Sequence, residues 1–453
     1  MPGEWVRDAL LAGNPDDICI WMGGPVTRAQ IAALADRRQH ALAAAGLRPG
    51  GTVALQLPPS LEYIATLLAA WRAGGQVSLL DHRLVPAEVD RALDALAPQV
   101  LVTARRMAAA PMAGYARTDA DVAVRPDGRP AATRHVLIQL SSGSTGPSKV
   151  IARTADSLLA ELGRYEQLAG YPGRGTRIVL LASTVHVLGL VGGLLHCLHS
   201  GARLVFPDRV TADGIRAAVA AGPEPAMVLG VPFHAELLTT GGEPIPQLTR
   251  MVVAGELVRP WVPDAFLSRY GVPLGTMYGM TEVGVIATDI SGRYAPSVEP
   301  ASGIELRVTD GELLVRQEAC PYLGPVDQTR WADGWLRTRD AATIDPATGL
   351  VTIHGRLDSQ VSIGGLKVDL TEVEQTLCTL PQVESAVVAF GGEIEAFLVL
   401  RGGATTGDVE ATLAGLLAAY KRPSRLHVLP AMPRTATGKV SRDQSVLRAM
   451  ASR

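Results

Sequence analysis

The hydrophobic and polar positions of the chain alternate, from about residue 27 onward, between a helical period and a strand period. The elements that this alternation predicts are helices over 27–45 and 60–73, each followed by a glycine, and strands over 52–57, 76–80, 135–140, 178–182, 203–206, 227–229 and 251–254. Strands separated by helix-length intervals are typical of α/β domains with largely parallel sheets. We therefore predict a large N-terminal domain of doubly wound sheets.

The pattern changes after Gly303 to short strands and tight turns, with strands over 312–316 and 351–354, and this predicts a small barrel-like subdomain. The elements predicted beyond it are helices over 370–377 and 408–419 and strands over 386–390, 396–400 and 426–429. They indicate a small, mobile C-terminal α+β domain. The predicted domains are 1–357 and 358–453.

Composition limits the classes of function. A chain of 453 residues exceeds what one hydrophobic core usually supports, and 47% hydrophobic with 19% charged residues is typical of a globular enzyme. The net charge of -2 provides no general attraction for nucleic acid or for an anionic membrane, so we expect neither as a partner. The segment 111–130, rich in Ala, Asp, Gly and Pro, is predicted to be a surface connection.

Three further features favour a cytoplasmic protein without a membrane span. The apolar run 178–198 is interrupted by His186, His196 and three glycines, and is interpreted as a buried strand, a turn and a buried helix. The first residues lack the basic start and apolar run of a signal peptide. Four cysteines far apart in sequence are typical of a reducing compartment, and we expect their thiols to be buried or inert.

The strongest local signal is the segment 140–149 (LSSGSTGPSK), which directly follows a predicted strand. Its glycines let backbone N–H groups approach an anion, its hydroxyls donate hydrogen bonds, and Lys149 adds a positive charge, as a phosphate-binding loop requires. The GxxxxGK[ST] spacing of a Walker loop is absent. By itself the segment is also compatible with a flexible surface loop.

Five more motifs follow in order: 253–257 (VAGEL), 276–282 (TMYGMTE), 334–340 (GWLRTRD), 355–358 (GRLD) and 435–439 (TATGK). Together with 140–149 they resemble the adenylate-forming superfamily of acyl-CoA synthetases, adenylation domains of nonribosomal peptide synthetases and beetle luciferases. The resemblance extends to Arg442 and is greatest to free-standing acyl- or aryl-acid ligases. It implies an enzyme that binds ATP and Mg²⁺ and activates a carboxylic acid.

The resemblance implies a role for each motif at the nucleotide. The residues expected to hold the β- and γ-phosphates are Ser141, Ser142, Gly143, Ser144, Thr145, Gly146 and Lys149. Those expected beside the adenine are Gly255, Glu256, Leu257, Tyr278 and Gly279. Thr281 would meet the α-phosphate, and Glu282 would bind Mg²⁺. Asp340 would accept hydrogen bonds from the ribose hydroxyls, with Arg356 near the same sugar.

In the family, three C-terminal positions serve in catalysis, in the movement of the small domain and at the thiol tunnel. Lys439 corresponds to the lysine that bridges the carboxylate and the α-phosphate while the acyl-adenylate forms. Asp358 corresponds to the hinge about which the small domain turns between the two half-reactions, and Gly365 to the loop at the thiol tunnel.

Three positions depart from the family pattern. Pro147 is displaced by one position, and Val150 and Arg339 each replace a glycine. These changes affect loop geometry and leave open a specialised enzyme or a nucleotide-binding homologue with weakened catalysis.

The acid is expected to be aryl or short-to-medium aliphatic. The segment 183–190 has no carboxylate to pair with an α-ammonium group, so an amino acid is disfavoured. His186 resembles the histidine that lines or gates the acyl pocket of acyl- and aryl-CoA ligases. The other residues expected at the pocket are Val187, Leu188, Gly255, Gly279, Met280, Val283 and Val285, which are apolar and small or medium in size.

The expected reaction converts ATP and the acid to acyl-AMP and pyrophosphate, and then transfers the acyl group to a thiol. The acceptor is coenzyme A or the phosphopantetheine of a carrier protein acting in trans. Amino-acid adenylation, amide formation and a luciferase-like oxidation stay open as alternatives.

Overall fold

The helices predicted over 27–45, 60–73 and 370–377 lie close to their predicted positions. The residues that the computed structural model describes are 3–105, 112–140, 149–258, 261–324, 328–357, 359–433 and 440–451. The helices are α1 (Arg28–Ala44), α2 (Leu61–Arg72), α3 (Pro86–Leu96), α4 (Ala155–Gln167), α5 (His196–Ser200), α6 (Ala212–Ala220), α7 (Pro232–Thr239), α8 (Val262–Tyr270), α9 (Leu370–Thr379), α10 (Thr406–Ala414) and α11 (Gln444–Ala451). Shorter helical segments are π-helical at Val6–Leu10 and Leu188–Leu195 and 3-10 helical at Ala419–Lys421.

The strands fall into three stretches of the chain. The first contains β1 (Ile18–Trp21), β2 (Pro25–Thr27), β3 (Thr52–Gln56), β4 (Gln76–Leu79), β5 (Val100–Ala104), β6 (Ala120–Val124), β7 (Leu137–Leu140), β8 (Val150–Arg153), β9 (Arg177–Leu180), β10 (Arg203–Val205), β11 (Ala226–Gly230), β12 (Leu248–Ala254) and β13 (Leu274–Met280). The second contains β14 (Gly284–Asp289), β15 (Ser297–Pro300), β16 (Leu306–Thr309), β17 (Glu312–Arg316), β18 (Tyr322–Leu323), β19 (Trp331–Ala332), β20 (Trp335–Ile344) and β21 (Val351–Arg356). The third contains β22 (Gln360–Ile363), β23 (Leu366–Asp369), β24 (Val383–Phe390), β25 (Ile394–Leu400) and β26 (Arg425–Val428).

Two large sheets organise the N-terminal part of the described chain. In one, the strand order is β18-β8-β7-β4-β3-β5-β6. In the other, β1, β10, β9, β11, β12 and β13 run as parallel neighbours, and the antiparallel strands β14, β15, β21, β20, β17 and β16 continue the same hydrogen-bonded network. The predicted α/β fold class is therefore confirmed.

Local sequence signals explain where several helices begin. Thr27 and Gln30 form a reciprocal capping box at the start of α1, with the Gln30 amide donating to Thr27 Oγ1 over 3.2 Å. Ser60 accepts from the Tyr63 amide over 3.1 Å at the start of α2. Every residue of α2 from Tyr63 to Trp71 is buried, so this helix lies inside the main hydrophobic core.

The apolar run 178–198 forms β9, a turn, the π-helix Leu188–Leu195 and α5, as predicted, and the π-helix lies in the main core. No helix in the described ranges has the length and hydrophobicity to cross a membrane.

Two predicted elements differ from the structure. The segment 111–130 contains β6, which pairs antiparallel with β5 at a sheet edge, so the prediction of a simple surface connection was wrong in part. The helix predicted over 408–419 ends at Ala414, because Gly415 is the C-cap and a 3-10 turn follows at Ala419–Lys421.

By contacts, the chain divides into two compact units. The first contains Met1–His82, Leu96–Leu140 and Val150–Leu357, and the described part of the second includes Arg83–Ala95 and the residues from 359 onward. In the second unit α9 and α10 bury Val373, Leu377 and Val409 in one core with β24 and β25. The functional assignment of the domains 1–357 and 358–453 stays a prediction.

Candidate active site

The predicted site residues of the first unit converge on one edge of the larger sheet. The strands β9, β11, β12 and β13 are parallel, so the segments that follow them emerge at the same edge. These segments carry His186 after β9, Gly255 after β12, and Thr281 and Glu282 after β13. Ligands of α/β proteins bind in the crevice at the carboxyl ends of such strands.

A three-residue cluster joins two of the motifs. The hydroxyl of Tyr278 donates a 2.6 Å hydrogen bond to Oδ2 of Asp340, and Nη1 of Arg356 lies 3.3 Å from Oδ1 of the same carboxylate. Asp340 is buried, whereas Tyr278 and Arg356 are half-buried. Burial, and then the Asp340 carboxylate, raise the pKa of Tyr278 well above its usual value, so its hydroxyl keeps the proton it donates.

Strand register explains how the cluster forms. Asp340 on β20 lies directly opposite Arg356 on β21 in an antiparallel pair, which brings the two side chains together. Nη1 of Arg356 also donates to the carbonyl of Thr338 over 3.0 Å, and Thr338 Oγ1 accepts from the Asp340 amide over 3.1 Å. The carboxylate is thus fixed before any ligand binds.

A second cluster surrounds Glu282, and sequence reasoning did not predict its other members. The hydroxyl of Tyr322 donates to Glu282 Oε1 over 2.8 Å, and Nη2 of Arg330 lies 3.9 Å from the same oxygen. Glu282 and Tyr322 are buried, and burial followed by the Glu282 charge raises the pKa of Tyr322. Neither Tyr322 nor Arg330 belongs to a motif, so no sequence signal could have identified them.

The chemistry of Glu282 fits a magnesium ion. Both contacts described above are made by Oε1, and magnesium is usually bound by one or two carboxylates together with substrate phosphates. No cluster of three or more His, Cys, Asp or Glu side chains that could hold a metal occurs among the described residues.

The backbone around the predicted adenine loop is shaped by two glycines. Gly255 has φ +95°, directly after β12, and the neighbouring Leu257 side chain is 58% exposed. At Gly279 a side chain would meet the Gly284 carbonyl oxygen at 2.5 Å, so β13 and β14 approach each other more closely than any larger residue allows. Glu256 is half-buried beside this loop.

On the acid side, two hydrogen bonds anchor the segment that carries His186. The buried Tyr63 hydroxyl donates to the Thr184 carbonyl over 2.7 Å, and Gln139 Nε2 donates to the Val185 carbonyl over 2.6 Å. His186 is half-buried, and its carbonyl accepts from the Leu190 amide two residues before the π-helix Leu188–Leu195 begins.

The predicted pocket residues divide between two apolar clusters. Val285 belongs to the main core, and Val187 and Leu188 pack against it. Met280 and Tyr278 pack against the cluster formed by β14, β15, β17, β20 and β21, to which Val283 belongs.

Several predicted residues lie outside the described part of the chain. They are Ser141, Ser142, Gly143, Ser144, Thr145, Gly146, the displaced Pro147, the hinge residue Asp358 and the catalytic candidate Lys439. Lys149 is described, and it directly precedes β8. Gly365 forms, with Gly364, the two-residue turn between β22 and β23, where φ values of +80° and +56° require glycine-like freedom.

The two described departures from the family pattern have different consequences. Val150 begins β8 and pairs with Leu140, which is ordinary strand geometry. Arg339 has φ +64°, a left-handed conformation in which glycine is favoured. The Arg339 amide donates to Glu312 Oε1 over 2.9 Å, and its guanidinium donates to the Thr329 carbonyl over 2.9 Å. Hydrogen bonds from both the backbone and the side chain therefore hold this strained residue in place.

Two family models match most of the chain. The model of the AMP-binding enzyme family matches residues 8–319, and the model of the AMP-binding enzyme C-terminal domain matches residues 372–439. The chain is 29% identical to a p-hydroxybenzoic acid–AMP ligase of Mycobacterium tuberculosis, over 98% of this chain and 68% of that protein. It is 28% identical to an indoleacetate–CoA ligase of Aromatoleum aromaticum, over 92% and 91% of the two chains.

Among solved structures, o-succinylbenzoate CoA synthetase of Bacillus subtilis superimposes with a TM-score of 0.82 over 98% of both chains, at 21% identity. The fold and the family models together define an α/β AMP-binding enzyme. The chain belongs to the AMP-binding enzyme family. It is an acid–thiol ligase, which uses ATP to activate a carboxylic acid as its adenylate and then passes the acyl group to a thiol.

Proposed function

We propose that the protein activates an aryl acid and transfers the aroyl or arylacetyl group to coenzyme A. The observation that carries the nucleotide half of this proposal is the cluster of Tyr278, Asp340 and Arg356, in which a buried carboxylate is held ready by an aromatic hydroxyl and a guanidinium. A carboxylate accepts hydrogen bonds at two oxygens, and one whose position is fixed by neighbouring groups is suited to accept them from a ribose diol.

Two motifs are proposed to bind the phosphates and their metal. We assign Glu282 to Mg²⁺, Thr281 to the α-phosphate, and the Ser/Gly/Thr loop with Lys149 to the β- and γ-phosphates. When bound, the metal would neutralise charge on the phosphate oxygens. Tyr322 supports this assignment, since its hydrogen bond fixes the orientation of the Glu282 carboxylate.

Lys439 is the proposed catalytic cation. As the acid carboxylate attacks the α-phosphorus, negative charge increases on the transferring phosphoryl group, and a delivered ammonium stabilises that charge more than it stabilises the separated reactants. The bond that forms joins a carboxylate oxygen to phosphorus, and the bond that breaks releases pyrophosphate. The thiol then attacks the acyl carbon and AMP departs.

The preference for an aryl acid rests on the residues that follow β9 and β13. His186, Val187, Leu188, Met280 and Val285 offer apolar surface and one imidazole, and the segment 183–190 contains no carboxylate to pair with an ammonium group. The names of the two similar proteins, which specify p-hydroxybenzoic acid and indoleacetate, support the same class of acid.

Coenzyme A is the preferred acceptor because the indoleacetate relative is a CoA ligase that covers almost the same length. A carrier protein acting in trans would present the same thiol. We also propose a cytoplasmic location, supported by four cysteines that are all free thiols, two of them buried.

The decisive experiment is a pyrophosphate-exchange screen over hydroxybenzoates, arylacetates, short-chain acids and amino acids. We expect exchange with aryl acids, and mass analysis with coenzyme A, holo-carrier proteins or amines identifies the product. The Lys439→Ala variant serves as a control that should bind ATP without exchange. Exchange with an amino acid alone, or ATP binding without exchange for any acid, would contradict the proposal.

A further inference from the structure

A buried carboxylate, Glu161, lies beneath the turn that carries Thr281 and Glu282, and no motif includes it. Glu161 is 0% exposed on α4. Its Oε2 accepts from Arg153 Nη2 over 2.9 Å, and its Oε1 accepts from the Val285 amide over 3.1 Å. Burial raises the pKa of Glu161, and the Arg153 charge opposes that shift.

The contact with the turn is close as well as polar. At Gly284, which has φ +89°, a side chain would lie 2.1 to 2.3 Å from the three atoms of the Glu161 carboxyl group. One helical turn further along α4, Nη2 of Arg164 donates to the Val283 carbonyl over 3.0 Å. Helix α4 therefore fixes three consecutive backbone residues, 283–285, through two side chains and one steric contact.

The other partner of Glu161 connects to the phosphate loop. Arg153 is the last residue of β8, the strand that follows the loop 141–149. Strand β8 also pairs with β18, whose Tyr322 donates to Glu282. Glu161 therefore contacts β8, which follows the predicted phosphate motif, and also the Val285 backbone, which follows the predicted motif 276–282.

Stability alone does not account for such a group. A buried ion pair is often no more stabilising than two apolar side chains of the same volume, because both charges must be removed from water. Its value lies in fixing one geometry, and hydrogen bonds to a defined amide provide that specificity.

We infer that Glu161 is a positioning residue for adenylation: it sets the 283–285 backbone, and hence Thr281 and Glu282, relative to β8. This inference rests on the proposed roles of Glu282 and Thr281. A displacement of about 1 Å in a positioned group lowers a rate by about 100-fold.

The test compares two double variants of the full chain. Arg153→Met with Glu161→Leu removes the charges and the acceptor for the Val285 amide, whereas Arg153→Met with Glu161→Gln keeps an acceptor. We expect the first to lose about 100-fold in kcat/KM for pyrophosphate exchange and the second to recover most of that loss. Arg38→Met with Glu62→Gln, which removes a largely buried pair between α1 and α2, is the matched control and should exchange normally.

A binding readout separates positioning from general destabilisation. Calorimetry with ATP in the presence and absence of Mg²⁺ gives the ratio of the two Kd values. In the Arg153→Met, Glu161→Leu variant, we expect the ratio of Kd for ATP without Mg²⁺ to Kd with Mg²⁺ to be at least about tenfold smaller than in the wild type. The Tm of this variant should stay near that of the Arg38→Met, Glu62→Gln control. The inference would be overturned if the Arg153→Met, Glu161→Leu variant had both the pyrophosphate-exchange activity and the Kd ratio of the wild type.

If the Arg153→Met, Glu161→Leu variant does not fold, a single substitution in α4 tests the same inference. Arg164→Met removes the bond to the Val283 carbonyl together with a positive charge near Glu161. We expect a rise in KM for Mg-ATP without a change in KM for the acid. An unchanged KM for Mg-ATP would overturn the inference. Glu282→Gln distinguishes the two proposals. If that variant keeps the wild-type Kd ratio, the proposed role of Glu282 fails, and the inference about Glu161 falls with it.

Discussion

The hydroxyl of Tyr278 on β13 is hydrogen bonded over 2.6 Å to Asp340 on β20, a residue 62 positions later in the chain. The two strands belong to one sheet, in which β14, β15 and β21 lie between them. The backbone of a single sheet therefore sets the distance between an aromatic ring predicted to contact adenine and a carboxylate predicted to contact ribose.

Replacing Asp340 by Asn should raise KM for ATP in pyrophosphate exchange by about 10- to 150-fold, since a hydrogen bond to a charged group contributes about 1.5–3 kcal/mol. KM for the acid should stay unchanged. Asp345→Asn is the control, because Asp345 lies in the turn between β20 and β21 and its carboxylate accepts from the amides of Ala347 and Thr348 in the same turn. An equal effect of both substitutions would contradict the ribose assignment.

Arg339 provides a test of backbone strain. At φ +64° a β-branched residue is strongly disfavoured, so Arg339→Val should lower the free energy of unfolding by about 1–3 kcal/mol. Arg339→Gly should change it by less than about 1 kcal/mol, because relief of strain offsets the lost bond to Thr329. Urea unfolding measures both, and Thr343→Val, at an exposed position of the same strand, should be close to neutral. Equal stability of the Val and Gly variants would argue against the left-handed conformation.

Two buried histidines predict acid sensitivity of the fold. Burial lowers the pKa of His196 to about 4 and that of His234 to about 4, whereas an unfolded histidine titrates near pH 6.5. Between these values the unfolded chain binds more protons, so the free energy of unfolding falls as pH decreases from about 6.5 toward 4, by roughly 1 kcal/mol per pH unit for each histidine. Urea unfolding at several pH values checks this slope.

Amide side chains in place of the two histidines can form the same hydrogen bonds but do not titrate. His196 Nε2 lies 2.7 Å from the Pro172 carbonyl, and the Val231 amide donates to His234 Nδ1 over 3.1 Å. His196→Gln with His234→Asn should therefore flatten the pH dependence between 4 and 6.5. His40→Gln, at an exposed site, should leave it as in the wild type. A slope that persists in the double variant would locate its origin elsewhere.

Tyr63→Phe tests the anchor of the acid-binding segment. Loss of the bond to the Thr184 carbonyl should cost about 1 kcal/mol of stability and raise KM for the acid several-fold, with KM for ATP unchanged. Tyr270→Phe removes a similar 2.9 Å bond, to the Leu238 carbonyl, and should cost stability alone. If both variants change KM for the acid equally, the segment is not specifically held by Tyr63.

Much of the fold could be predicted because its signals are local. The helix predicted over 27–45 is α1 (Arg28–Ala44), since Thr27 and Gly46 mark its limits in the sequence itself. The strand β6 was missed because it lies at a sheet edge with one neighbour and carries exposed residues, so its pattern resembles that of a loop. The end of α10 depended on one glycine, Gly415, within an otherwise helical sequence.

The candidate site was predictable only where a motif carries it. Tyr278, Asp340 and Arg356 belong to recognisable motifs, and the structure brings them together. Tyr322 and Glu161 belong to none, because each acts through a partner far away in sequence: Glu282 is 40 positions from Tyr322, and Val285 is 124 positions from Glu161. Such pairings depend on sheet topology, which no local pattern contains.

The continuous pairing from β13 to β20 has a consequence for engineering the enzyme. Acid selectivity is expected to reside in the segment after β9, whereas the predicted ribose cluster of Tyr278, Asp340 and Arg356 lies within the strands themselves. Grafting residues 183–188 from another ligase should therefore exchange one acid for another while ATP affinity is retained.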